Sequence, residues 1–251
     1  MVTSYIDVAQ LVLYAFWIFF FGLIYWLRLE DRREGYPLES DNPRKIASAN
    51  QILLPAPKTF KLVDGGEYKA PNFERDAREI PGTRTGQSAG EPMEPTGEAL
   101  GANIGPGAWA KRHDEPEKII DGRDQVVPMR ADPEFTMFAG PDPRGWTVVG
   151  GDKQPAGKVT DVWVDRADVI VRYLEVDLGE GKGARLIPFP MLKLNRDLKV
   201  VEVYSIFAKH FANVPSLKTA DRVTVHEEEI ISAYYAGGRL YAEPARLGPV
   251  L

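Results

Sequence analysis

The longest hydrophobic stretch of the chain lies near its start. From Val8 to Leu27 the only clearly polar side chain is Gln10. A helix over these residues, at ~1.5 Å each, spans ~30 Å, which is the thickness of the hydrocarbon core of a bilayer. Tyr25 and Trp26 follow at one end, where amphipathic rings favour the membrane interface. A buried core helix would show a polar stripe and a signal peptide would start with basic residues, so the pattern predicts that residues 1–30 hold a transmembrane helix.

Basic residues flank only one end of this helix. Arg28, Arg32 and Arg33 lie at its C-terminal end, whereas the N-terminal flank carries Asp7. By the positive-inside rule we expect a single pass with the N-terminus outside the cytoplasm and the large C-terminal part inside it. The span contains no charged side chain and no histidine between residues 8 and 27. We therefore expect it to anchor the chain and to supply neither a proton relay nor an axial metal ligand.

The hydrophobic pattern changes twice after the span. Residues 31–105 are rich in Pro and Gly and show few periodic apolar positions, which predicts an extended irregular segment. A structureless stretch of that length is unusual within a compact domain, so we expect it to lie on the surface of a partner protein. In residues 106–251 alternating apolar positions predict strands in GKVTDVWVD (157–165), VIVRYLEVDL (169–178), ARLIPF (184–189) and LKVVEVYSI (198–206).

The turns and the last helix complete the predicted fold. Residues 166–168 form the turn of a hairpin, and GEGKG (179–183) is a second turn. RVTVHEEEIISAYYAGG (222–238) predicts a strand leading into a short helix, in which Thr224 and Glu227 have capping-box spacing and Gly237 or Gly238 suits the C-terminal end. The predicted fold class is α+β: one N-terminal transmembrane helix and a mainly antiparallel, barrel-like β domain with a short helix.

Composition narrows the possible functions. The net charge is -5 and no Lys/Arg-rich tract occurs, so nucleic acid is not a predicted partner. Cysteine is absent, which excludes disulfides, thiolate metal sites and Cys nucleophiles. His113, His210 and His226 are far apart and lack the spacing of a metal centre. The GxSxG, Walker A, GxGxxG and HExxH motifs are missing, so we do not predict an enzyme.

Two acidic groupings are the candidate chemistry. In IDGRDQ, Asp121 and Asp124 flank Arg123; in WVDRAD, Asp165 and Asp168 flank Arg166. Neighbouring carboxylates raise each other's pKa and an adjacent arginine lowers it, so such a group titrates as a unit and can accept and pass protons. The alternative is that both are solvated turns whose charges serve solubility.

Several motifs, in order along the chain, resemble those of one family. They are REGYPLE (33–39), PKTF (57–60), PTGEAL (95–100), GPGAWAKR (105–112), VVPMRA (126–131), AGKVTDVWVD (156–165), RYLEV (172–176), HFANVP (210–215) and EEEIISAYYAGGRLYA (227–242). Together with the aromatic single span, they resemble the H subunit of the photosynthetic reaction centre of purple bacteria. The resemblance covers essentially the full chain.

The resemblance implies a fold, a location and partners. The fold would be a cytoplasmic PRC-barrel-type β domain, tethered by one helix in the cell inner (intracytoplasmic) membrane, that caps the L and M subunits. The assembled complex would carry bacteriochlorophyll, bacteriopheophytin, quinones, non-haem iron and carotenoid, none bound through ligands of this chain. Membrane lipid would surround the span, and a cytochrome subunit and the light-harvesting 1 antenna are candidates for further partners.

The resemblance also implies a role for the acidic groupings. The secondary quinone takes up two electrons and two protons in a buried pocket, so protons must cross the protein along carboxylates and water. The implied proton-transfer residues here are Asp121, Asp124, Asp165 and Asp168, with Asp168 in the place of a relay glutamate. Relatives carry surface histidines after the Asp-Gly, whereas Arg123, Asp124 and Gln125 stand here. Because Arg cannot accept a proton at physiological pH, Asp124 or another group would have to gather protons.

Partner contacts are expected at two places. Arg33, Glu34 and Tyr36 lie in the REGYPLE motif directly after the span. Arg172 either pairs with a carboxylate of a partner subunit or forms a surface ion pair within the hairpin. Two other readings of the whole chain stay open: a membrane-tethered PRC-barrel module for binding or assembly, and a membrane-anchored enzyme with an unrecognised active site.

Overall fold

The computed structural model describes residues 7–36, 38, 53–63, 65–72, 78–87, 90–138 and 140–247. The chain divides into two compact units, one of residues 1–79 with 86–91 and the other of residues 80–85 with 92–251. The boundaries predicted from the sequence, after residues 30 and 105, separate the membrane anchor, the partner-bound segment and the β domain. They stay predictions.

The first unit contains the predicted span. Helix α1 (Val8–Glu30) is, in the described part of the chain, the one helix long and apolar enough to cross a membrane, with a mean hydropathy of 2.0. None of its residues is buried, so its apolar side chains are free to face lipid on all sides. Strands β1 (Lys58–Lys61) and β2 (Glu67–Ala70) pair antiparallel. This hairpin lies in the segment that was predicted to be irregular. All four residues of β1 are exposed, so the strand lacks the alternation of apolar and polar positions by which a strand is predicted.

The second unit begins with another short hairpin that the sequence pattern did not predict. Strand β3 (Gly82–Arg84) pairs antiparallel with β4 (Met93–Pro95), and the single-turn helix α2 (Pro106–Trp109) follows. A seven-stranded sheet comes next. Its strands are β5 (Val126–Pro128), β6 (Thr147–Val149), β7 (Pro155–Asp165), β8 (Ile170–Asp177), β9 (Ala184–Pro188), β10 (Lys193–Asn195) and β11 (Val200–Glu202).

The sheet is built around β7. Its order is β10-β11-β6-β7-β8-β9, and β5 pairs with β7 beyond the end of β6. All pairs are antiparallel except β11 with β6. Two irregularities in the β7–β8 register bend the pair, as in closed or strongly curved sheets. The fold is therefore a mostly antiparallel β domain, and the predicted turns at residues 166–168 and 179–183 are confirmed.

The core lies between this sheet and helix α3 (Val225–Tyr241). Trp163 and Leu174 of the sheet and Ile231 and Tyr235 of α3 are fully buried in one hydrophobic cluster. Burying an aliphatic side chain of this size contributes about 1.5–3 kcal/mol. The amphipathic helix is therefore held mainly by packing on the sheet.

Two predictions around α3 are wrong and one is confirmed. Residues 222–224 form no strand, and α3 does not end at Gly237 or Gly238 but continues to Tyr241. A Cβ on Gly238 would lie 2.4 Å from Ile206 Cγ2, so this glycine serves the close approach of the helix to the segment after β11 rather than the end of the helix. The capping box is present: Thr224 accepts from the backbone N–H of Glu227, and Glu227 from that of Thr224.

Candidate functional site

The pairing of β5 with β7 brings the two acidic groupings together. The first grouping directly precedes β5 and the second includes the last residue of β7 and the turn that follows. Val126 lies opposite Asp165, and the backbone N–H of Arg166 donates to Gln125 O at 2.9 Å. Segments about forty positions apart in sequence thus form one acidic site, which consists of residues 121–125 and 165–168.

Asp121 lies at the exposed end of the acidic site. Its Oδ1 accepts from the backbone N–H of Arg123 at 3.0 Å, and its Oδ2 accepts from Arg123 Nε at 2.8 Å. Gly122, between them, has a φ of +85°, which a glycine adopts without strain. The hydrogen bonds from the Arg123 backbone and guanidinium lower the pKa of Asp121. Asp121 is therefore ionised at neutral pH.

Asp124 lies deeper in the acidic site. Its carboxylate is 18% exposed and its Oδ2 accepts from Arg222 Nε at 3.0 Å. Its backbone carbonyl accepts from Arg166 Nη1 at 2.7 Å. Arg222 comes from the segment before α3, and nothing in the local sequence indicates this contact.

Asp165 and Asp168 occupy opposite environments although they share one turn. Asp165 is fully buried; its Oδ1 accepts from the N–H groups of Ala167 at 2.8 Å and Asp168 at 3.1 Å, and its Oδ2 accepts from Gln125 Nε2 at 2.9 Å. Asp168 is exposed, and its carboxylate has no hydrogen bond or ion pair within the part of the chain that the structure describes. The acidic site therefore contains one buried, hydrogen-bonded carboxylate and one free, exposed carboxylate.

A buried ion pair between Arg166 and Asp132 adjoins the acidic site. Arg166 Nε donates to Asp132 Oδ2 at 2.6 Å, and the side chains are 12% and 5% exposed. The hydrogen bond from Arg166 is the main cause that lowers the pKa of Asp132. Sequence reasoning missed that Asp132 and Arg222 contact the acidic site, and that Gln125 bonds to Asp165, because these contacts arise from strand pairing or from distant segments.

A second charged cluster lies on the same sheet. Arg130 Nη1 donates to Asp161 Oδ2 at 3.1 Å and to Glu175 Oε2 at 2.9 Å, and its Nη2 donates to Asp221. Trp163 Nε1 donates to the same Glu175 oxygen at 2.8 Å. Every member of this cluster is thus satisfied internally, as expected for a structural network.

The residues expected at the partner interface near the span form contacts within the first unit. Arg33 donates through Nε and Nη2 to Glu30 at 2.7 and 2.8 Å, and through Nη1 to the carbonyls of Ala56 and Ala70 at 2.9 and 3.2 Å. Tyr36 lies under the guanidinium of a neighbouring arginine, and Glu34 is exposed. Arg33 therefore fixes the chain that leaves α1, and the exposed Glu34 is free for other contacts.

Arg172 has a partner that neither sequence alternative named. Its Nη2 lies 3.3 Å from Glu228 Oε2, on α3, and the hydroxyl of Tyr173 donates to the same oxygen at 2.6 Å. The predicted ion pair within the hairpin is therefore wrong, because the carboxylate comes from the helix. The side chain of Arg172 is 40% exposed, so contact with a partner subunit stays a prediction.

Other features of the second unit offer little chemistry. A groove of about 440 Å³ beside α3 is lined mainly by apolar side chains, including Ile80, Trp109 and Tyr241. Across the described residues, no group of three or more His, Asp or Glu side chains could hold a metal ion. The arrangement best suited to chemistry is the acidic site, whose exposed carboxylates, those of Asp121 and Asp168, can exchange protons with solvent.

Comparison with known protein families gives two matches, and the acidic site is divided between them. Residues 1–131 match the family described as photosynthetic reaction centre, H-chain N-terminal region, and residues 135–207 match the PRC-barrel domain. Asp121 and Asp124 fall in the first match, and Asp165 and Asp168 in the second. The first match alone covers 131 of the 251 residues. The chain therefore belongs to the H-chain family of the photosynthetic reaction centre.

Proposed function

We propose that this H subunit caps the cytoplasmic side of the L and M subunits and conducts protons to the secondary quinone during light-driven electron transfer. The observation that carries the proposal is the pairing of β5 with β7, which gathers Asp121, Asp124 and Asp168 into one acidic site. A quinone held by partner subunits would take up two electrons and two protons. The part of this chain would be to bring those protons through the protein.

Each carboxylate has a distinct place in this proposal. Asp121 is exposed and ionised, so it exchanges protons directly with solvent, and because Arg123 lowers its pKa it releases a bound proton readily. Asp124, held by Arg222, takes the gathering role that surface histidines play in relatives. Asp168 stands at the hairpin turn with a free carboxylate and passes the proton towards the partner subunits, with water bridging the gaps.

Replacing Asp168 with Asn tests the relay. Asparagine has nearly the same shape but cannot accept and release a proton, so we expect Asp168→Asn to slow the proton-coupled second electron transfer to the quinone severalfold. Primary charge separation should be unchanged, because it moves no proton. Flash spectroscopy on purified reaction centres measures both steps. The matched control is Asp197→Asn, which removes an exposed carboxylate from the turn between β10 and β11; an equal effect of the two variants would count against the relay.

The capping role and the orientation need separate measurements. Purification in a mild detergent should bring pigmented L and M subunits together with this chain. A colourless, stable chain would instead favour a membrane-tethered PRC-barrel assembly module. Protease added to the cytoplasmic face of membrane vesicles should digest residues 106–251; digestion only from the opposite face would overturn the proposed topology.

A further inference from the structure

We propose that Asp165 is a positioning residue rather than a proton carrier: with Gln125 as its partner, it fixes the turn that presents Asp168. This inference rests on the proposed function of Asp168 as a relay. It separates two aspartates that look equivalent in the motif WVDRAD, since one is buried and fully bonded and the other is exposed and free.

The contacts of Asp165 are those of a turn-forming side chain. Two of its three donors are backbone N–H groups of the turn itself, those of Ala167 and Asp168. Its own backbone carbonyl accepts from the N–H of Val169 at 2.9 Å, which closes the turn. The side chain therefore determines the backbone path at Asp168 directly.

The surroundings of Asp165 do not favour proton transfer. A relay needs a titratable group or water at hydrogen-bond distance on each side of the carrier. The three hydrogen-bond partners of the Asp165 carboxylate are amide N–H groups, and the side chain is fully buried. An amide N–H donates a hydrogen bond but does not take up and release protons at physiological pH.

The turn also contains a strained residue, which shows that it must be held. Val169 has a φ of +56°, a region that β-branched residues rarely adopt. Such a conformation persists only where neighbouring contacts enforce it. Val169 itself is 70% exposed, so packing around its side chain does not enforce it. The contacts that hold the turn are the hydrogen bonds of Asp165 and the pairing of Asp165 with Ile170 across it.

Gln125 connects the turn to the rest of the acidic site. Its side chain donates to Asp165 and its backbone carbonyl accepts from Arg166, whose guanidinium in turn binds Asp132 and the carbonyl of Asp124. Asp165 and Gln125 thus fix the position of Asp168 relative to the first acidic grouping. Loss of this connection would change the distance over which a proton must pass.

Two substitutions at Asp165 separate the roles in the assembled reaction centre. In Asp165→Asn, Oδ1 still accepts from the turn N–H groups and Nδ2 donates to Gln125 once that amide has rotated, so the turn is kept while the titratable group is lost. We expect a rate and pH profile of second electron transfer equal to those of the unchanged chain. In Asp165→Ala the turn loses the hydrogen bonds that the carboxylate accepts. We therefore expect second electron transfer to slow by most of the amount seen with Asp168→Asn.

One further variant, Gln125→Met, keeps the test decisive. If Asp165→Ala does not assemble, Gln125→Met removes one donor to Asp165 at similar size, and we expect a smaller slowdown in the same direction with unchanged charge separation. A slowdown in Asp165→Asn as large as that in Asp168→Asn would make Asp165 a carrier and overturn the inference. Normal rates in Asp165→Ala and Gln125→Met, with a slow Asp168→Asn, would overturn the inference and leave the relay standing. A normal rate in Asp168→Asn would overturn the relay itself.

Discussion

At the scale of single residues, several buried polar groups hold backbone in place. His210 is one of them: its Nδ1 accepts from the backbone N–H of Phe207 at 3.1 Å, and the side chain is buried. A protonated Nδ1 could not accept this bond. Burial is the main cause that lowers the pKa of His210, so the folded chain favours the neutral ring.

The lowered pKa of His210 predicts a pH dependence of stability. The unfolded chain binds a proton at the ordinary pKa of about 6.5, whereas the folded chain does so only at lower pH. The free energy of unfolding should therefore be highest above pH 6.5 and fall below it, by at most about 1.4 kcal/mol per pH unit, until the folded pKa is reached. Chemical denaturation of the full chain in detergent between pH 5 and pH 8 measures this slope.

A matched variant identifies the contribution of His210. In His210→Asn the amide oxygen can still accept from Phe207, but the side chain no longer titrates. We expect the part of the slope that arises just below pH 6.5 to disappear in this variant. An identical slope in both chains would assign the pH dependence to other groups.

The Asp132–Arg166 pair gives a second prediction at this scale. Removal of one partner from a buried pair leaves an uncompensated charge and costs about 3–5 kcal/mol. We expect Asp132→Asn to lower the free energy of unfolding by an amount in this range, and the double variant Asp132→Asn with Arg166→Met to restore part of it. Denaturation of the unchanged chain, the two single variants and the double variant at neutral pH measures the coupling; additive losses would show that the pair is not energetically linked.

At the scale of elements, α3 is fixed at its start, along its length and towards its end by contacts with the sheet and with the segments before and after the sheet. At its start, the N–H groups of Val225 and His226 donate to the carbonyls of Glu115 and His113, in addition to the capping box. Further along, Glu228 accepts from Tyr173 of β8. Towards its end, Gly238 lies against the backbone of Ser205. The helix therefore has little freedom to shift on the sheet.

Substitution by alanine is expected to have opposite effects on stability at two adjacent glycines of α3. In Gly238→Ala the new Cβ would lie 2.4 Å from Ile206 Cγ2 and 2.6 Å from Ser205 O, so the helix and the segment after β11 must separate. Such overpacking costs about 1–3 kcal/mol. In Gly237→Ala the nearest atom is Leu100 Cδ2 at 3.7 Å, so the better helix former should add about 0.5–1 kcal/mol. Denaturation midpoints of the two variants should move in opposite directions, and a shared direction would contradict the packing argument.

At the scale of the whole molecule, membrane attachment and the acidic site belong to different units. Helix α1 is in the first unit, whereas all four aspartates of the acidic site are in the second. The first unit carries no buried residue on α1, and the second has its own hydrophobic core. We therefore expect the second unit to keep its structure when the span is removed.

Deletion of residues 1–30 tests this division of roles. We expect the truncated chain to yield much less pigmented complex than the full chain, because anchoring no longer concentrates it at the membrane. The second unit should show a nearly unchanged unfolding transition, followed by tryptophan fluorescence, to which buried Trp146 and Trp163 contribute. Assembly at normal yield would show that the span matters less than proposed, and loss of the transition would show that the units depend on each other.

The sequence by itself determined the features that depend on neighbouring residues. A run of apolar positions as long as a bilayer is thick predicts a membrane span, and the helix found at Val8–Glu30 agrees with this prediction in length and composition. The capping box of Thr224 with Glu227 and the turn of the β7–β8 hairpin were predictable for the same reason, since their partners lie within a few positions. The family was identified from the motifs that follow one another along the chain.

Only the tertiary structure decided which distant groups meet. The pairing of β5 with β7 joins Gln125 to Asp165, and α3 brings Glu228 to Arg172; no local pattern encodes these contacts. It also decided burial, which makes Asp165 and Asp168 different although the motif treats them alike. The reason is physical: periodicity fixes which face of an element is apolar, but the register and neighbours of that element follow from packing of the whole core.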